Sequence, residues 1–399
     1  MKFEFIVQKE NYDARIKVTG IGGAGGNAIN NMIAANLKGV DFIVANTDSQ
    51  SLERSSCSTR IQLGATLTKG LGAGSDPEIG RLAAEESIDE IRESLTGADM
   101  AFITAGMGGG TGTGGAPTVA RIAKEEGALT VAVVTKPFQF EGEKRMRRAL
   151  EGIQKLKKEV DTLIIIPNER LKNLGDKNTT FKELIVCADE VLLQAVKGIS
   201  DLIMSSGFIN LDFADVKKVM EQMGTAIMGT GRASGDKRAA EAAQKAVNSP
   251  LLEDISISGA KGLLMNFTGP SNMTMEEIDE AANYIKGEVD ADADVLWGVV
   301  FDDNMGDEIQ ITVIATGIDK EEPRNLVRLR DVSTDEVDES WTVRTSNGDI
   351  LETPTFQRIG EDNGIAEKLA ASSGKRGVLK RAFFKDNLDY PTFLRAKAD

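Results

Sequence analysis

The segment ITAGMGGGTGTGGAP, residues 103–117, holds seven glycines within ten positions and constrains the fold more than any other part of the chain. Glycine loses much conformational entropy on folding and adds nothing to a hydrophobic core. So many glycines therefore indicate a backbone conformation or a close approach that side chains would block. An apolar run, MAFITAG, leads into the segment, and a helical pattern follows Pro117. This order predicts a loop whose backbone amides seat phosphates. A hinge, or a close contact between helix and sheet, is the alternative.

A second glycine-rich loop, VTGIGGAGGNAINN, occupies residues 18–31 and places Gly20, Gly22 and Gly25 in GxGxxG spacing before a helix expected from about Asn27. Asp48 follows the next strand, so this loop alone is typical of a dinucleotide site, and an NAD-dependent oxidoreductase is the alternative function. Two glycine loops at the ends of neighbouring strands would direct two sets of free N–H groups and two helix dipoles at one place. That arrangement favours a chain of phosphates.

No histidine occurs among the 399 residues, which excludes the commonest general base, the usual zinc ligand and every Ser-His or Cys-His pair. Chemistry in this chain must therefore use carboxylates, backbone dipoles or a hard cation, which are the means of phosphoryl transfer. Neither GxxxxGKS nor GxxxxGKT occurs, so a P-loop nucleotide triphosphatase is not expected. Neither glycine loop contains a lysine, and we therefore expect Mg²⁺ to balance the phosphate charge.

The chain carries a net charge of −15, which argues against broad binding of nucleic acid or of anionic lipid. Its two cysteines, Cys57 and Cys187, form no CxxC motif and cannot make a disulfide framework. The start MKFEFIVQKE is not an apolar leader, and no run of eighteen apolar residues occurs. These features predict a cytoplasmic protein without direct membrane insertion, whose contact with a membrane would need a partner.

Short apolar runs alternate with helical patterns through the first half of the chain, which predicts an α/β fold with a doubly wound parallel sheet. We assign this domain to residues 1–180, with single helices at about 77–95 and after Pro117 among its elements. Open α/β sheets bind ligands in the loops that follow their strands. The glycine-rich or polar loops expected there lie at Gly22, Asn46, residues 70–74, Gly106 and Lys136.

A long apolar helical pattern runs from Phe181 to about Met204 and predicts a central helix of roughly 36 Å, assigned to residues 181–209. Less regular helices and strands predict a smaller C-terminal α+β domain at residues 210–317. Residues 318–384 lack sustained periodicity and are expected to be a largely disordered linker. Residues 385–399 place Tyr390, Phe393 and Leu394 beside basic residues, as a short recognition peptide would; a terminus without a role is the alternative.

Two carboxylates stand three residues apart in INLDFADVKK, directly after the central helix. Asp212 and Asp215 lie at the start of a predicted helix, where an acidic residue is most often a cap or a partner of the helix dipole. The length of the central helix separates them from the glycine loops. If they take part in hydrolysis, they must therefore act on a nucleotide bound by a neighbouring molecule.

These motifs together resemble the tubulin/FtsZ superfamily, and most closely its bacterial cell-division GTPases. GGGTGTGG at residues 108–115 is similar to the signature loop of that family, and the resemblance extends from about Arg15 to Gly317. It implies GTP or GDP as the nucleotide, with Glu141 and Arg145 at the ribose and phosphates and with Asn27 and Asp189 facing guanine. The nucleotide-binding residues implied are Gly22, Gly23, Asn27, Gly74, Gly108, Gly109, Gly110, Thr111, Gly112, Thr135, Glu141, Arg145, Asn168 and Asp189.

The same resemblance implies that subunits stack head to tail into homopolymeric filaments at midcell. Asn210, Asp212 and Asp215 would then be the catalytic loop that enters the nucleotide site of the next subunit. The terminal peptide that begins at Asp389 and ends at Arg395, DYPTFLR, is similar to the segment with which the family binds membrane adaptors. Ile185 departs from the family pattern, which usually has an aromatic residue against the base. A scaffold with the same fold and no hydrolysis is a further alternative.

Overall fold

The computed structural model describes residues 14–172, 179–204, 211–221, 224–252 and 257–318. The chain divides into two compact units, Met1–Glu322 and Pro323–Asp399, and every described residue belongs to the first. Asn210, the expected linker and the terminal peptide therefore lie outside the described residues, and their assignments stay predictions.

The described strands form one mixed sheet in the order β3-β2-β1-β4-β5-β6-β7-β10-β8-β9. Pairs among the first six strands are parallel, which confirms the expected doubly wound sheet. Strands β7, β10 and β8 pair antiparallel. The strand bounds are β1 Ile16–Ile21, β2 Val40–Asn46, β3 Thr59–Gln62, β4 Met100–Gly106, β5 Leu129–Lys136, β6 Thr162–Pro167, β7 Gly224–Ser234, β8 Gly262–Gly269, β9 Asp294–Phe301 and β10 Glu308–Thr316.

Twelve α-helices lie within the described residues, among them the predicted central helix α9. Their bounds are α1 Gly22–Ala34, α2 Ser49–Glu53, α3 Ala65–Thr68, α4 Pro77–Glu86, α5 Ile88–Leu95, α6 Thr111–Glu125, α7 Glu143–Leu156, α8 Asn168–Leu171, α9 Phe181–Met204, α10 Phe213–Glu221, α11 Arg238–Val247 and α12 Met275–Lys286.

Three helix predictions were wrong in detail. The helix expected at 77–95 is broken at Ser87, whose hydroxyl accepts the Gly64 N–H and donates to the Gln62 carbonyl, so the chain turns there between α4 and α5. The helix expected after Pro117 already begins at Thr111, and Pro117 lies inside it. The helix expected from about Asn27 likewise begins earlier, at Gly22.

The parallel sheet is covered on both faces, because its side chains alternate between two hydrophobic clusters. Val18 and Phe102 point to the face covered by α1 and α9. Ile103 and Ala132 point to the opposite face, which α4, α5, α6 and α7 cover. Burial on both faces explains why these strands read as nearly continuous apolar runs.

The C-terminal half continues this sheet. Strand β7 pairs with β6 over three residues, and α11 and α12 cover one face of the strands that follow. Helix α9 contacts α1 and β5 of the first half and β8 and β9 of the second. Its buried residues therefore belong to the core of both halves, as expected of a central helix.

Candidate nucleotide-binding site

The loops singled out in the sequence meet at the carboxyl edge of the parallel sheet. The register places Ile21 of β1 beside Ala45 of β2 and Ala105 of β4, so these strands end level with one another. Gly106 of β4 pairs in turn with Thr135 of β5. The next residues of each strand enter loops, and open α/β sheets bind their ligands at this edge.

The glycines of the β1–α1 loop fall into two groups, which are closely packed or open. A Cβ on Gly20 would lie 2.4 Å from the Gly25 carbonyl oxygen, and one on Gly25 would lie 2.5 Å from the Thr104 carbonyl oxygen. These two glycines let the helix pack tightly on the sheet. Gly22 has a φ of 73°, and Gly23 has no neighbouring atom within 4 Å of an added Cβ. A Cβ on Gly22 would lie 3.1 Å from the Gly112 nitrogen, so the open face of the loop is at Gly23.

The glycines of the β4–α6 loop are likewise either closely packed or open. Gly108 has a φ of 97°, and Gly109 has open space around an added Cβ. Gly114, which is already helical, packs so closely on α4 that a Cβ would lie 1.9 Å from the Pro77 carbonyl oxygen. Open space is thus found at Gly109, whereas a Cβ on Gly108 or on Gly110 would lie 2.8 Å from a neighbouring atom. Close packing explains several of these glycines, and phosphate seating stays a prediction.

The threonines of this loop differ in environment. Thr113 is 2% exposed, and its hydroxyl oxygen accepts the Gly108 N–H at 2.8 Å, so it stabilises the loop from within. Thr111 is half-buried, and its Oγ1 lies 2.6 Å from the Oγ1 of Thr47. Thr47 is fully buried at the end of β2 and was not predicted as a site residue.

A third loop, residues 70–74, lies against the end of β2. The Gly72 N–H donates to the Thr47 carbonyl at 3.2 Å, and the Ser49 N–H donates to the Gly70 carbonyl at 3.1 Å. Gly74 has a φ of 56° and no atom within 4 Å of an added Cβ. The loop therefore brings an open glycine to the same edge as the other two.

Asp48 does not fill the role that a dinucleotide site would give it. Its carboxylate caps α2, accepting the Gln50 N–H at 3.1 Å and the Ser51 hydroxyl at 2.7 Å. The Ser51 hydrogen bond is the main reason why the pKa of Asp48 is lowered. A carboxylate occupied in this way favours phosphate seating over the oxidoreductase alternative.

Glu141 and Arg145 form an ion pair at the rim of the β4–α6 loop, with Arg145 Nη1 2.8 Å from Glu141 Oε2. The other oxygen of Glu141 accepts the Phe138 N–H at 2.8 Å, so the carboxylate is fixed in direction. The Arg145 side chain passes close to Gly108, since a Cβ there would lie 2.8 Å from Arg145 Cγ. This places the base of the Arg145 side chain beside Gly108 of the loop.

The predicted base-facing residues, Asn27 and Asp189, lie on α1 and α9, and Asn168, which was predicted to bind the nucleotide, begins α8. Asp189 is 8% exposed, and its Oδ2 accepts the Asn31 amide at 3.2 Å. Burial raises the pKa of Asp189 to about 6, against the lowering effect of the Asn31 hydrogen bond. Asn168 is buried and its Oδ1 has no hydrogen-bond partner among the described residues, whereas Asn27 is exposed on α1. Asn168 therefore presents a buried acceptor beside this edge.

Asn31 was not predicted, although a signal for it exists. It follows Asn27 by four residues on α1, and residues at that spacing share one face of a helix. Ile185 is half-buried on α9, one turn before Asp189, and the ring of Phe181 lies one turn before that, 60% exposed.

Asp212 and Asp215 lie away from this edge. Leu211 donates its N–H to the Leu202 carbonyl near the end of α9, and Leu202 lies thirteen residues, roughly 20 Å, beyond Asp189 along that helix. Both aspartates are exposed, and neither side chain makes a hydrogen bond or an ion pair with other described residues. The structure therefore separates them from the glycine loops, as the helix length predicted.

No group of three or more Asp, Glu or Cys side chains in the part of the chain that the structure describes is arranged to hold a metal ion. None of its helices combines the length and apolar character needed to cross a membrane.

An open parallel sheet with glycine-bearing loops at its carboxyl edge is the architecture of nucleotide-binding α/β proteins. Residues 15–176 match the GTPase domain of the Tubulin/FtsZ family, and residues 224–319 match the C-terminal domain of the FtsZ family. The chain belongs to the FtsZ family of tubulin-like proteins, which confirms the resemblance drawn from its motifs.

Individual relatives agree with this assignment. Cell division protein FtsZ of Magnetospirillum gryphiswaldense is 56% identical over 307 residues, which are 77% of this chain and 55% of the relative. The protein of the same name from Rickettsia conorii is 56% identical over 76% of this chain and 68% of its own length. An empty FtsZ dimer from M. jannaschii is 45% identical with a TM-score of 0.75, covering 78% of this chain and 90% of that one. The chain thus spans about half the length of the first of these relatives.

Proposed function

We propose that this protein binds and hydrolyses GTP and polymerises head to tail into filaments of the bacterial division ring. The observation that carries the proposal is the convergence of three glycine-bearing loops at one sheet edge, within residues that match a GTPase domain. The relatives are named cell division proteins, and a solved relative is described as a dimer. These names support division and self-association as the biological setting.

The nucleotide would bind with its phosphates over the open backbone of the loops. Free N–H groups at a helix N-terminus favour anions, and both α1 and α6 begin at this edge. Arg145 would turn towards the phosphates and Glu141 towards the ribose hydroxyls, since the two already lie paired at the rim. The phosphate contacts proposed are Gly22, Gly23, Gly74, Gly108, Gly109, Gly110, Thr111 and Gly112, with Thr135 beside them.

The guanine would lie between α1 and α9, against Asn27, Asn168 and Asp189. The unpaired Oδ1 of Asn168 and the free Oδ1 of Asp189 are acceptors that suit the N–H groups of a guanine edge. Ile185 offers an apolar but not an aromatic surface there.

Mg²⁺ fits this donor set as a companion of the nucleotide. It keeps several waters and binds phosphate oxygens with one or two protein ligands, so a dedicated carboxylate cage is not needed. The hydroxyl of Thr111, at the start of α6, would be such a protein ligand in the phosphate loop. When bound, the ion would supply positive charge to the phosphates.

Hydrolysis would be completed by Asp212, Asp215 and Asn210 of the adjacent subunit. The two aspartates are exposed and follow the end of α9 that is remote from Asp189, which supports a head-to-tail contact. Their carboxylates would orient and polarise the attacking water, so that positioning and electrostatics provide most of the rate. A filament contact that does not close on itself would give open filaments, weakened when the nucleotide between subunits is cleaved.

The protein would act in the cytoplasm at midcell, and the terminal peptide DYPTFLR would bind membrane adaptors. The aromatic and apolar side chains of Tyr390, Phe393 and Leu394 beside Arg395 are typical of a short docking peptide. No nucleic acid partner is proposed, because the net charge of −15 opposes it.

The substitution Asp212→Ala tests the shared site. We expect the variant to bind GTP like the parent protein and to lose the GTP hydrolysis that rises with protein concentration. The control is Asp279→Ala on α12, which also removes an exposed helical carboxylate. Turnover that stays normal in Asp212→Ala, or that never depends on protein concentration, would refute catalysis between subunits.

A mixing experiment separates action between subunits from action within one. Asp212→Ala supplies nucleotide sites without the acidic loop, and Asp189→Ala supplies the loop without a base site. In an equal mixture about a quarter of random head-to-tail contacts combine the two intact halves. We expect the mixture to regain activity that neither variant has alone. Thermal shifts with GTP and with NAD, run beside it, discriminate the oxidoreductase alternative.

A further inference from the structure

The carboxylate of Asp189 has one side-chain partner among the described residues, the amide of Asn31. Asn31 lies on α1, two turns after the β1–α1 loop, and Asp189 lies on α9, two turns after its start. These two helices pack against each other. The Asn31 Nδ2 donates to Oδ2 of Asp189 at 3.2 Å, and Oδ1 of Asp189 accepts nothing from the described protein.

Burial raises the free energy of ionising the Asp189 carboxyl group. Asp189 is 8% exposed, and removal from water favours its neutral form. The pKa of Asp189 is raised to about 6, chiefly by burial, and the Asn31 hydrogen bond is what opposes the rise. No charged side chain of the described residues contributes to this balance. The ionised form near neutral pH therefore depends on a single neutral donor.

Ionisation decides what the carboxyl can recognise. An ionised carboxylate only accepts hydrogen bonds, whereas a protonated one carries an O–H donor. The edge of guanine that bears N1–H and the N2 amino group presents hydrogen-bond donors. The O–H of a protonated Asp189 would face these N–H groups, and two donors cannot bond to each other. Because Asn31 occupies Oδ2, it also determines the direction in which Oδ1 points.

We propose that Asn31 is a positioning residue for the nucleotide base: its amide keeps the Asp189 carboxylate ionised and directs Oδ1 towards the donor edge of guanine. The inference rests on the proposed function, since it concerns the base of the nucleotide proposed above. A merely structural role, tying α1 to α9, is the competing explanation. The two differ in pH dependence, because only the first acts through a titrating group.

The experiment measures GTP affinity of the full chain by calorimetry from pH 5.5 to 8.5. Protonation of Asp189 weakens binding, so the affinity of the parent protein falls as the pH drops through about 6. Asn31→Leu keeps the side-chain volume without the donor. A lost hydrogen bond to a charged group corresponds to about one pH unit, so we expect the fall to begin about one unit higher. At pH 6.5 this gives roughly threefold weaker binding, which rises towards tenfold at pH 5.5, and at pH 8.5 a small difference.

Two further variants keep the outcome interpretable. In Asp189→Asn, which does not titrate, adding Asn31→Leu leaves the pH profile flat. Asn283→Leu on α12 is the control for an exposed Asn-to-Leu change, and its profile matches that of the parent protein. Thermal unfolding without nucleotide reports whether each variant folds.

The possible results separate the two proposals. An Asn31→Leu profile that is weaker by the same factor at every pH, or that is unchanged, overturns the positioning role. A shifted profile that persists in the Asp189→Asn background also overturns it. If the parent protein does not bind GTP at any pH, the proposed function itself fails.

Discussion

Asp201, on the central helix α9, offers a quantitative test of how burial acts in this fold. It lines a cavity of about 280 Å³ between α9 and the C-terminal strands, together with Lys197, Asn266 and Asp302. Its side chain makes no hydrogen bond or ion pair with the described residues. Burial, with a smaller contribution from the Asp302 charge, raises the pKa of Asp201 from 3.8 to about 6, while Lys197 opposes the rise.

The sign of the stability effect follows from the direction of this shift. The folded state binds the proton of Asp201 more tightly than the unfolded state, so this group favours folding at low pH. That contribution is lost as the pH rises from about 4 through about 6. The difference between 3.8 and about 6 corresponds to about 3 kcal/mol as an upper value, and partial exposure reduces it.

Asp201→Asn keeps the shape of the side chain and removes the charge. We expect the variant to be more stable than the parent protein by about 1–3 kcal/mol at pH 8 and by about half as much at pH 5, where Asp201 is largely protonated in the folded state only. Urea unfolding midpoints at both pH values measure this, and Asp236→Asn, an exposed carboxylate, is the control. A gain of equal size at both pH values, or no gain at pH 8, would refute the assignment of the cost to an ionised Asp201.

Three further predictions concern the loops and the C-terminal lobe. Gly80→Ala places a Cβ 2.3 Å from the Gly110 carbonyl oxygen, so we expect a loss of about 1–3 kcal/mol in thermal stability and weaker GTP binding. Gly287→Ala is the control, because an added Cβ makes only ordinary contacts there, and it should change neither property. Thr47→Val removes the hydroxyl beside Thr111, and about fivefold weaker GTP binding is expected, with Thr47→Ser restoring it; an unaffected Val variant contradicts this. Arg238→Met leaves Glu277 and Asp307 without their buried guanidinium, and should cost about 2–3 kcal/mol in urea unfolding, a value near zero being the contrary result.

The sequence predicted the parallel sheet and the position of the site because both depend on local patterns. Apolar runs that end in glycine mark strands followed by exposed backbone, and the register of β1, β2 and β4 brings those ends together. The apolar helical pattern from Phe181 to about Met204 matches helix α9, because the stripe is continuous there, whereas the assignment of residues 205–209 to the helix lies outside the described residues.

The errors lie where tertiary contacts decide. Glycine lowers helix propensity, so Gly112 and Gly114 were assigned to a loop, yet the close contact of α6 with α4 makes a helix there favourable. The break at Ser87 depends on hydrogen bonds to Gln62 and Gly64, which are distant in sequence. Asn31 and Thr47 escaped prediction for the same reason, because their partners lie on other elements.

The number of residues in the central helix sets the distance between Asp189 and the segment that follows the helix. Thirteen residues separate Asp189 from Leu202, whose carbonyl anchors the segment that carries Asp212. Inserting one residue between them would advance the far end by about 1.5 Å and rotate it by about 100°. In the proposed head-to-tail site, such an insertion would displace the acidic loop relative to Asp189, so the length of α9 would set the spacing between the two halves of that site.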